Sequence, residues 1–262
     1  MDIPKDTILM LSGVSCVGKT TTAYEIVKNY SEFRRVSEYD LIRTVVRTAY
    51  EHLADEAYIN KNELMDKYNA LFESLTCNNF EITRLQSEQL LPYVKEIILR
   101  QQRRQIPTIL EGTGIIPNIY FPNNRPLPWL TKHVVFINLY LSDEKEHISR
   151  RKSRSEERGY HESASKTQAI ISQCRAEKNQ LLHMQAIELQ KMYKNIFSID
   201  ISDCTPTQAA TRIMERVFDY FKKYVYIIKV RTECSFKNIQ SCYYYRKSHL
   251  QSFICTLIQF IV

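Results

Sequence analysis

Three short stretches of this chain are largely apolar, two shorter ones are more mixed, and between them apolar residues return every three or four places. Thr7–Ser12 carries no charge and reads as a strand buried in a parallel sheet. Further strands are expected at Arg35–Ser37, Pro107–Leu110, Val134–Leu141 and Asn195–Asp200, of which 134–141 is richest in β-branched and aromatic residues. Helical spacing runs from Lys19 to about Tyr30, over 40–56, through 60–105, from Asp143 onward and again over 162–194. Within 60–105, Leu90, Leu91, Val94, Ile97 and Ile98 form an apolar stripe, and Pro92 is the only proline. Four prolines at 117, 122, 126 and 128 make 117–128 a loop. Thr205 before Pro206 has the pattern of an N-cap and first helical residue, so a last helix should start there. Strands alternating with helices over some 220 residues predict an α/β fold, with a parallel sheet covered by helices on both faces.

The junction between the first strand and first helix carries the most specific signal. Gly13, Gly18, Lys19 and Thr20 fill every fixed place of G-x-x-x-x-G-K-[ST], the phosphate-binding loop called Walker A. Glycines let such a loop close on a phosphate without Cβ clashes, while backbone N–H groups and the helix N-terminus point at the anion. Gly13, Val14, Ser15, Cys16, Val17 and Gly18 are therefore expected to cradle phosphate, with Lys19, Thr20 and Thr21 opening the helix beneath it. Lys19 would reach the β- and γ-phosphates, and the Thr20 hydroxyl would coordinate magnesium. Cys16 reads as a small filler.

Phosphoryl transfer to a small acceptor needs a carboxylate at the acceptor hydroxyl, cations for the acceptor's own charge and an arginine-bearing lid. Asp40 follows the second strand, with Arg43 and Arg47 on the same helical face. Asp40 is expected to orient the hydroxyl, and the two arginines to grip an anion. Glu111 and Gly112 lie at the end of the 107–110 strand, where doubly wound sheets bind ligands. Glu111 is a candidate metal holder or base, and Gly112 a substrate contact. Arg150, Arg154 and Arg158 recur every fourth residue on a highly charged helix after the strongest strand, as a lid requires. Arg150 and Arg154 are the catalytic candidates there; His147 reads as a structural residue. The segment 201–207 is placed against the nucleotide base. No NKxD-like guanine-reading motif is present.

Composition narrows the setting. Lys and Arg number 36 against 29 Asp and Glu, a net charge of +7, with 44% hydrophobic residues. No segment approaches the ~18 consecutive apolar residues of a membrane helix. No secretory leader is visible at the N-terminus, so the expected location is the cytoplasm. The seven cysteines, at 16, 77, 174, 204, 234, 242 and 255, show no CxxC spacing and are expected as free thiols rather than a zinc site. Much of the positive excess belongs to residues 225–262, where Lys229, Arg231, Lys237, Arg246 and Lys247 face Glu233 alone. That segment contains three of the cysteines and is expected as an atypical tail to a domain spanning 1–224. Aromatic and basic residues do not interleave near the loop, so nucleic acid is not the expected partner.

The segments GVSCVGKTTTA at 13–23, EYDLIR at 38–43 with Arg47, ILEGTGIIP at 109–117 and DEKEHISRRKSR at 143–154 resemble the P-loop small-molecule kinases. Within them the likeness is to the 2-phosphoglycerate kinase-like and zeta-toxin-like group. The resemblance implies a three-layer P-loop NTPase fold and ATP- and Mg²⁺-dependent phosphorylation of a small hydroxylated, anionic metabolite. It assigns Lys19 and Thr20 to nucleotide and metal, Asp40 and Arg43 to the acceptor, and Arg150 and Arg154 to the lid. The chain departs from the group at 114, glycine where histidine is usual, and at 38, glutamate where a small hydroxyl residue is usual. Both places fall in the acceptor region. The alternatives are a sugar-nucleotide kinase, a polynucleotide 5′-hydroxyl kinase and a nucleotide-dependent switch.

Overall fold

Four of the five expected strands are largely or wholly removed from water, and the short, polar Arg35–Glu38 strand forms a more exposed edge. The computed structural model describes residues 3–55, 71, 80–159 and 162–223. Strands β1 (Ile8–Ser12), β2 (Arg35–Glu38), β3 (Thr108–Glu111), β4 (Val134–Tyr140) and β5 (Ile196–Asp200) form one sheet in the order β2-β3-β1-β4-β5. Every pairing is parallel. Leu9, Met10, Leu11, Val135 and Ile137 are fully buried, because the central strands are covered on both sides.

Helices α1 (Lys19–Asn29), α2 (Tyr39–Asp55) and α3 (Phe80–Arg103) precede β3. The expected loop at 117–128 contains one helical turn, α4 (Pro117–Tyr120), started by Pro117, and then a 3-10 turn, Pro122–Asn124. Proline at a first helical position loses no needed N–H, which reconciles the proline count with the turn. Helix α5 (Glu144–Glu157) begins with the Asp143 carboxylate accepting from the Lys145 N–H at 2.8 Å. Helices α6 (Ala164–Cys174) and α7 (Gln180–Met192) follow, joined by a π-helical turn, Arg175–Asn179. The helical spacing of 162–194 predicts no such break. Residues 206–217 form a helix, α8. At its start the Gln208 N–H donates to the Thr205 hydroxyl at 3.3 Å, and the Gln208 side chain accepts from the Thr205 N–H at 2.9 Å.

The chain passes from β1 outward to β2, back through β3, and then across β1 to β4 and β5. Helix α1 packs on β1, β2 and β3, α2 on β2, α3 on β1, and α7 on β4 and β5. The two directions of winding part at β1, so the crevice beyond its C-terminal end lies at the switch point of the sheet. This is the α/β P-loop NTPase arrangement expected above. Met1–Val217 forms one compact unit and Phe218–Val262 a second; of the second, only the helical residues 218–223 are described. The expected 225–262 tail and its boundary fall outside the described residues, as does 60–79 apart from the buried Leu71.

Candidate active site

The turn from β1 to α1 is held open by its glycines and held down by its valines. Gly13 has φ 141°, and a Cβ there would collide with the Leu139 carbonyl oxygen. Gly18, at φ 103°, caps α1. Cys16 is also left-handed, at φ 63°, although it is not glycine. The Val14 and Val17 side chains are buried, so the loop is anchored in the core while Ser15 and Cys16 face the cleft. Lys19 is only 7% exposed and its ammonium donates to the Val14 carbonyl at 2.8 Å. Burial pulls the Lys19 pKa down, and the charges of Glu111 and Asp40 oppose that pull.

Around this loop lies a cleft of about 1180 Å³. At its floor the Thr20 hydroxyl donates to Glu111 Oε1 at 2.9 Å. Burial raises the Glu111 pKa, countered first by Lys19 and then by the Thr20 hydrogen bond. A hydroxyl and a carboxylate, both oxygen donors, meet beside the phosphate loop. That donor set suits a hard divalent cation such as magnesium, which takes one or two protein oxygens and completes its shell with water and phosphate. Among the described residues no separate group of three His, Cys, Asp or Glu side chains forms a metal cluster.

Asp40, Arg43, Glu111 and Gly112 line the same cleft as Lys19. Asp40 is exposed, and Arg43 is half-buried, with burial lowering its pKa and Asp40 countering that. Arg47 does not reach the cleft lining; its Nε faces Glu51 at 3.7 Å, one helical turn on. The expected second grip on an acceptor anion is therefore supplied by no residue of α2 beyond Arg43.

Glu38 and Gly114, where the sequence departs from the group it resembles, both lie close to the cleft residues. Glu38 stands directly opposite Glu111 in the β2–β3 register, lines the cleft and accepts from the Tyr24 hydroxyl at 3.0 Å. Its charge raises the Glu111 pKa further. Gly114 is required by Tyr39, because a Cβ at 114 would lie 2.8 Å from the ring Cζ. Gly112 is pressed against the same residue at Tyr39 Cβ. The buried tyrosine thus fills the space that a side chain at 114 would take. Burial raises its own pKa strongly.

Helix α5 divides its arginines. Arg154 Nη1 lies 3.3 Å from the Ser15 hydroxyl and 3.8 Å from Cys16 Sγ, directly over the phosphate loop. Arg150 is instead tied to three carbonyls, Val17 at 2.8 Å, Ile201 at 2.9 Å and Cys204 at 3.3 Å, and to Glu146 at 2.7 Å. It lines the cleft and braces the phosphate loop against the 201–204 loop. Ser202, Cys204 and Pro206 border the cleft at that end, where the base is expected. Arg158 also lines the cleft.

Two residues gain a role that spacing along the chain does not reveal. His147 is fully buried and its Nε2 is 2.8 Å from the Ser15 carbonyl, so its structural role is to hold the phosphate loop from α5. Burial lowers its pKa, which keeps the ring neutral and Nε2–H a donor. Lys178 reaches the cleft from the π-helical turn. The irregular turn hides it from any reading by helical period. Three cysteines outside any disulfide, Cys16, Cys174 and Cys204, border the cleft.

No family model matches this chain, and no curated protein matches it. Among solved structures, shikimate kinase from Bacteroides thetaiotaomicron is similar at 12% identity and a TM-score of 0.40, over 80% of this chain and 98% of that one. A gluconokinase from Sinorhizobium meliloti 1021 matches at 12% identity and a TM-score of 0.35, over 74% of this chain and 97% of that one. Dephospho-CoA kinase from Campylobacter jejuni matches at 12% identity and a TM-score of 0.34, over 80% and 97% of the two chains.

Proposed function

We propose that the chain is a P-loop kinase that moves the γ-phosphoryl group of ATP to a hydroxyl of a small metabolite. The observation that carries this is the gathering of Lys19, Thr20, Glu111, Asp40 and Arg43 along one cleft at the switch point of the sheet. The loop amides of 13–18 and Lys19 bind the phosphates, with Lys19 exchanging the Val14 carbonyl for phosphate oxygen. Thr20 and Glu111 would hold Mg²⁺, which when bound would draw charge from the phosphates. Arg154 supplies positive charge over the loop and Arg150 fixes the loop's far side. Asp40 accepts the acceptor's proton as that oxygen bonds to the γ-phosphorus and the bond to the β–γ bridging oxygen breaks. ADP and the phosphorylated acceptor are the products. Rate enhancement comes from positioning and charge neutralisation, without a covalent enzyme intermediate.

The acceptor meets Asp40, Glu38 and one arginine, Arg43. That balance favours an acceptor with several hydroxyl donors and a single anionic group over a multiply charged one such as a sugar nucleotide. 2-Phosphoglycerate stays within this class only if one further cation joins Arg43. Thiols outside any disulfide fit a reducing cytoplasm. Among the described residues no helix is long and apolar enough to cross a membrane. The reading is tested by incubating the protein with γ-labelled ATP, Mg²⁺ and a panel of hydroxylated metabolites, phosphorylated and not. Label in an acceptor-dependent product is expected; acceptor-independent phosphate release alone would favour the switch reading.

A further inference from the structure

The end of the sheet remote from the phosphate loop carries a pocket and a row of cations that phosphoryl transfer does not use. The pocket, of about 210 Å³, opens where β4 and β5 begin. Phe121, Leu130, Phe136 and Tyr193 form its apolar wall. The Phe121 ring centroid lies 5.2 Å from that of Tyr193 and 6.3 Å from that of Phe136. The polar groups around it are largely engaged within the chain. The Tyr193 hydroxyl donates to the Asn124 carbonyl at 2.8 Å and the Asn195 amide to the Val134 carbonyl at 2.8 Å. The Thr131 hydroxyl accepts from the Gln102 amide at 2.8 Å. An apolar occupant suits such a recess, because N and O groups buried there would find few partners. The volume lies below the ~300–1,000 Å³ of small-molecule sites and matches a single large side chain.

Cations flank the pocket. Arg125 adjoins Pro126, which lines it, and Lys194 stands between two further lining residues, Tyr193 and Asn195. Both are exposed, and neither is ion-paired among the described residues. The same holds for Lys5 before β1, Arg34 before β2, and Arg103 and Arg104 before β3. Hydrogen bonds tie these strand entries together. The Ile8 N–H donates to the His133 carbonyl at 3.0 Å, the Phe136 N–H to the Asn195 carbonyl at 2.8 Å and the Arg34 N–H to the Pro107 carbonyl at 3.2 Å. With strands ~4.8 Å apart, the five entries span about 20 Å. The acidic residues among them are Asp6, which meets His133 Nδ1 at 2.8 Å, and the half-buried Glu32. Helix C-termini attract cations through the macrodipole, but Lys5 and Arg125 follow no α-helix end.

We propose that this end of the sheet docks an acidic, extended peptide segment of a partner protein. One apolar side chain of Leu or Phe size fills the pocket, and carboxylates on either side of it pair with Arg125 and Lys194. The buried side chain supplies most of the affinity, and the complementary charge supplies steering and orientation. A nucleic acid fits less well, since a base in the pocket would bury its own polar edge unpaired. A bilayer also fits less well, since it takes up apolar groups that protrude, whereas here they line a recess. This face is separate from the cleft, because the β4 and β5 entries lie at the opposite end of the strands from Glu111 and the phosphate loop.

The test is fluorescence anisotropy of labelled synthetic peptides with the full chain at about 50 mM salt, where charge is least screened. The probe has three Glu on each side of a central Phe. The comparisons are the same peptide with central Gly, a peptide with Lys in place of Glu, a labelled oligothymidylate and, by sedimentation, phosphatidylserine-containing vesicles. The Phe probe is expected to bind, and the Gly peptide to bind about tenfold or more weakly, the effect of losing one buried aromatic side chain. The double variant Arg125→Glu/Lys194→Glu should weaken the Phe probe about tenfold or more. Its melting temperature and MgADP affinity should match the parent, since both side chains are exposed and far from the loop. Equal binding of the Phe and Gly peptides, no binding of the Phe probe at about 1 mM, or insensitivity to the charge reversal would overturn the proposal. So would tighter binding of the Lys peptide, the oligonucleotide or the vesicles than of the Phe probe. None of these outcomes touches the kinase reading, which fails instead if the parent does not bind MgADP.

Discussion

On the proposed kinase reading, the nucleotide and acceptor ends of the cleft are built by different means. The nucleotide end is almost entirely backbone: a loop bent by Gly13 and Gly18, anchored by buried Val14 and Val17, and braced by His147 at Ser15 and Arg150 at Val17. The proposed acceptor end is made of side chains from distant segments, with Asp40 and Arg43 from α2, Glu38 from β2 and Glu111 from β3. A backbone cradle binds any triphosphate tail and tolerates little variation in its glycines. A side-chain wall is chosen one residue at a time, so substrate selectivity can change there without disturbing the loop.

Substitutions should separate the two ends. Lys19→Ala is expected to lower phosphoryl transfer on the order of 10³-fold and to weaken MgATP, since it removes a preorganised charge from the transferring group. Steady-state kinetics and nucleotide titration measure both effects. Asp40→Asn should cost about 10²-fold in kcat while leaving nucleotide affinity unchanged, as loss of a general base does. Gly114→Ala should destabilise the fold by about 1–3 kcal/mol in denaturant unfolding, because the added methyl overpacks against Tyr39.

Acid should act on the nucleotide end through His147. Its folded pKa lies below the ordinary 6.5, so its contribution to stability is present above that pH and is lost as pH falls through the folded value. The melting temperature should therefore fall on acidification below about pH 6.5, and His147→Gln should flatten that dependence. Arg47→Ala should have the smallest effect, within about twofold in acceptor KM, because its visible partner is the surface residue Glu51.

The nucleotide end is legible in the sequence because its chemistry is local. Eight consecutive residues carry the loop, and their strand and helix flanks have their own periodicities. The strand positions are also readable, since buried parallel strands are apolar throughout. The acceptor end is readable only where a residue lies close to a strand end, as Asp40, Glu111 and Gly112 do. Arg47 shares a helical face with Arg43 in projection, but it lies a turn further along α2 and meets Glu51 first. Spacing alone places Arg150 at the phosphates beside Arg154; its hydrogen bonds depend on carbonyls from 17, 201 and 204 that no spacing reveals. Lys178 is invisible to the helical period because a π-helical turn breaks it. Glycine at 114 looks like a missing group in the sequence; its cause is Tyr39, 75 positions earlier and against it in space.

Affinity for MgATP in the parent protein, Lys19→Ala and Asp40→Asn, measured by equilibrium titration, tests the division most directly. The account predicts binding in the parent, its loss in Lys19→Ala, and an Asp40→Asn affinity within about twofold of the parent. Equal affinity in the parent and Lys19→Ala, or a collapse in Asp40→Asn as large as that in Lys19→Ala, would contradict it.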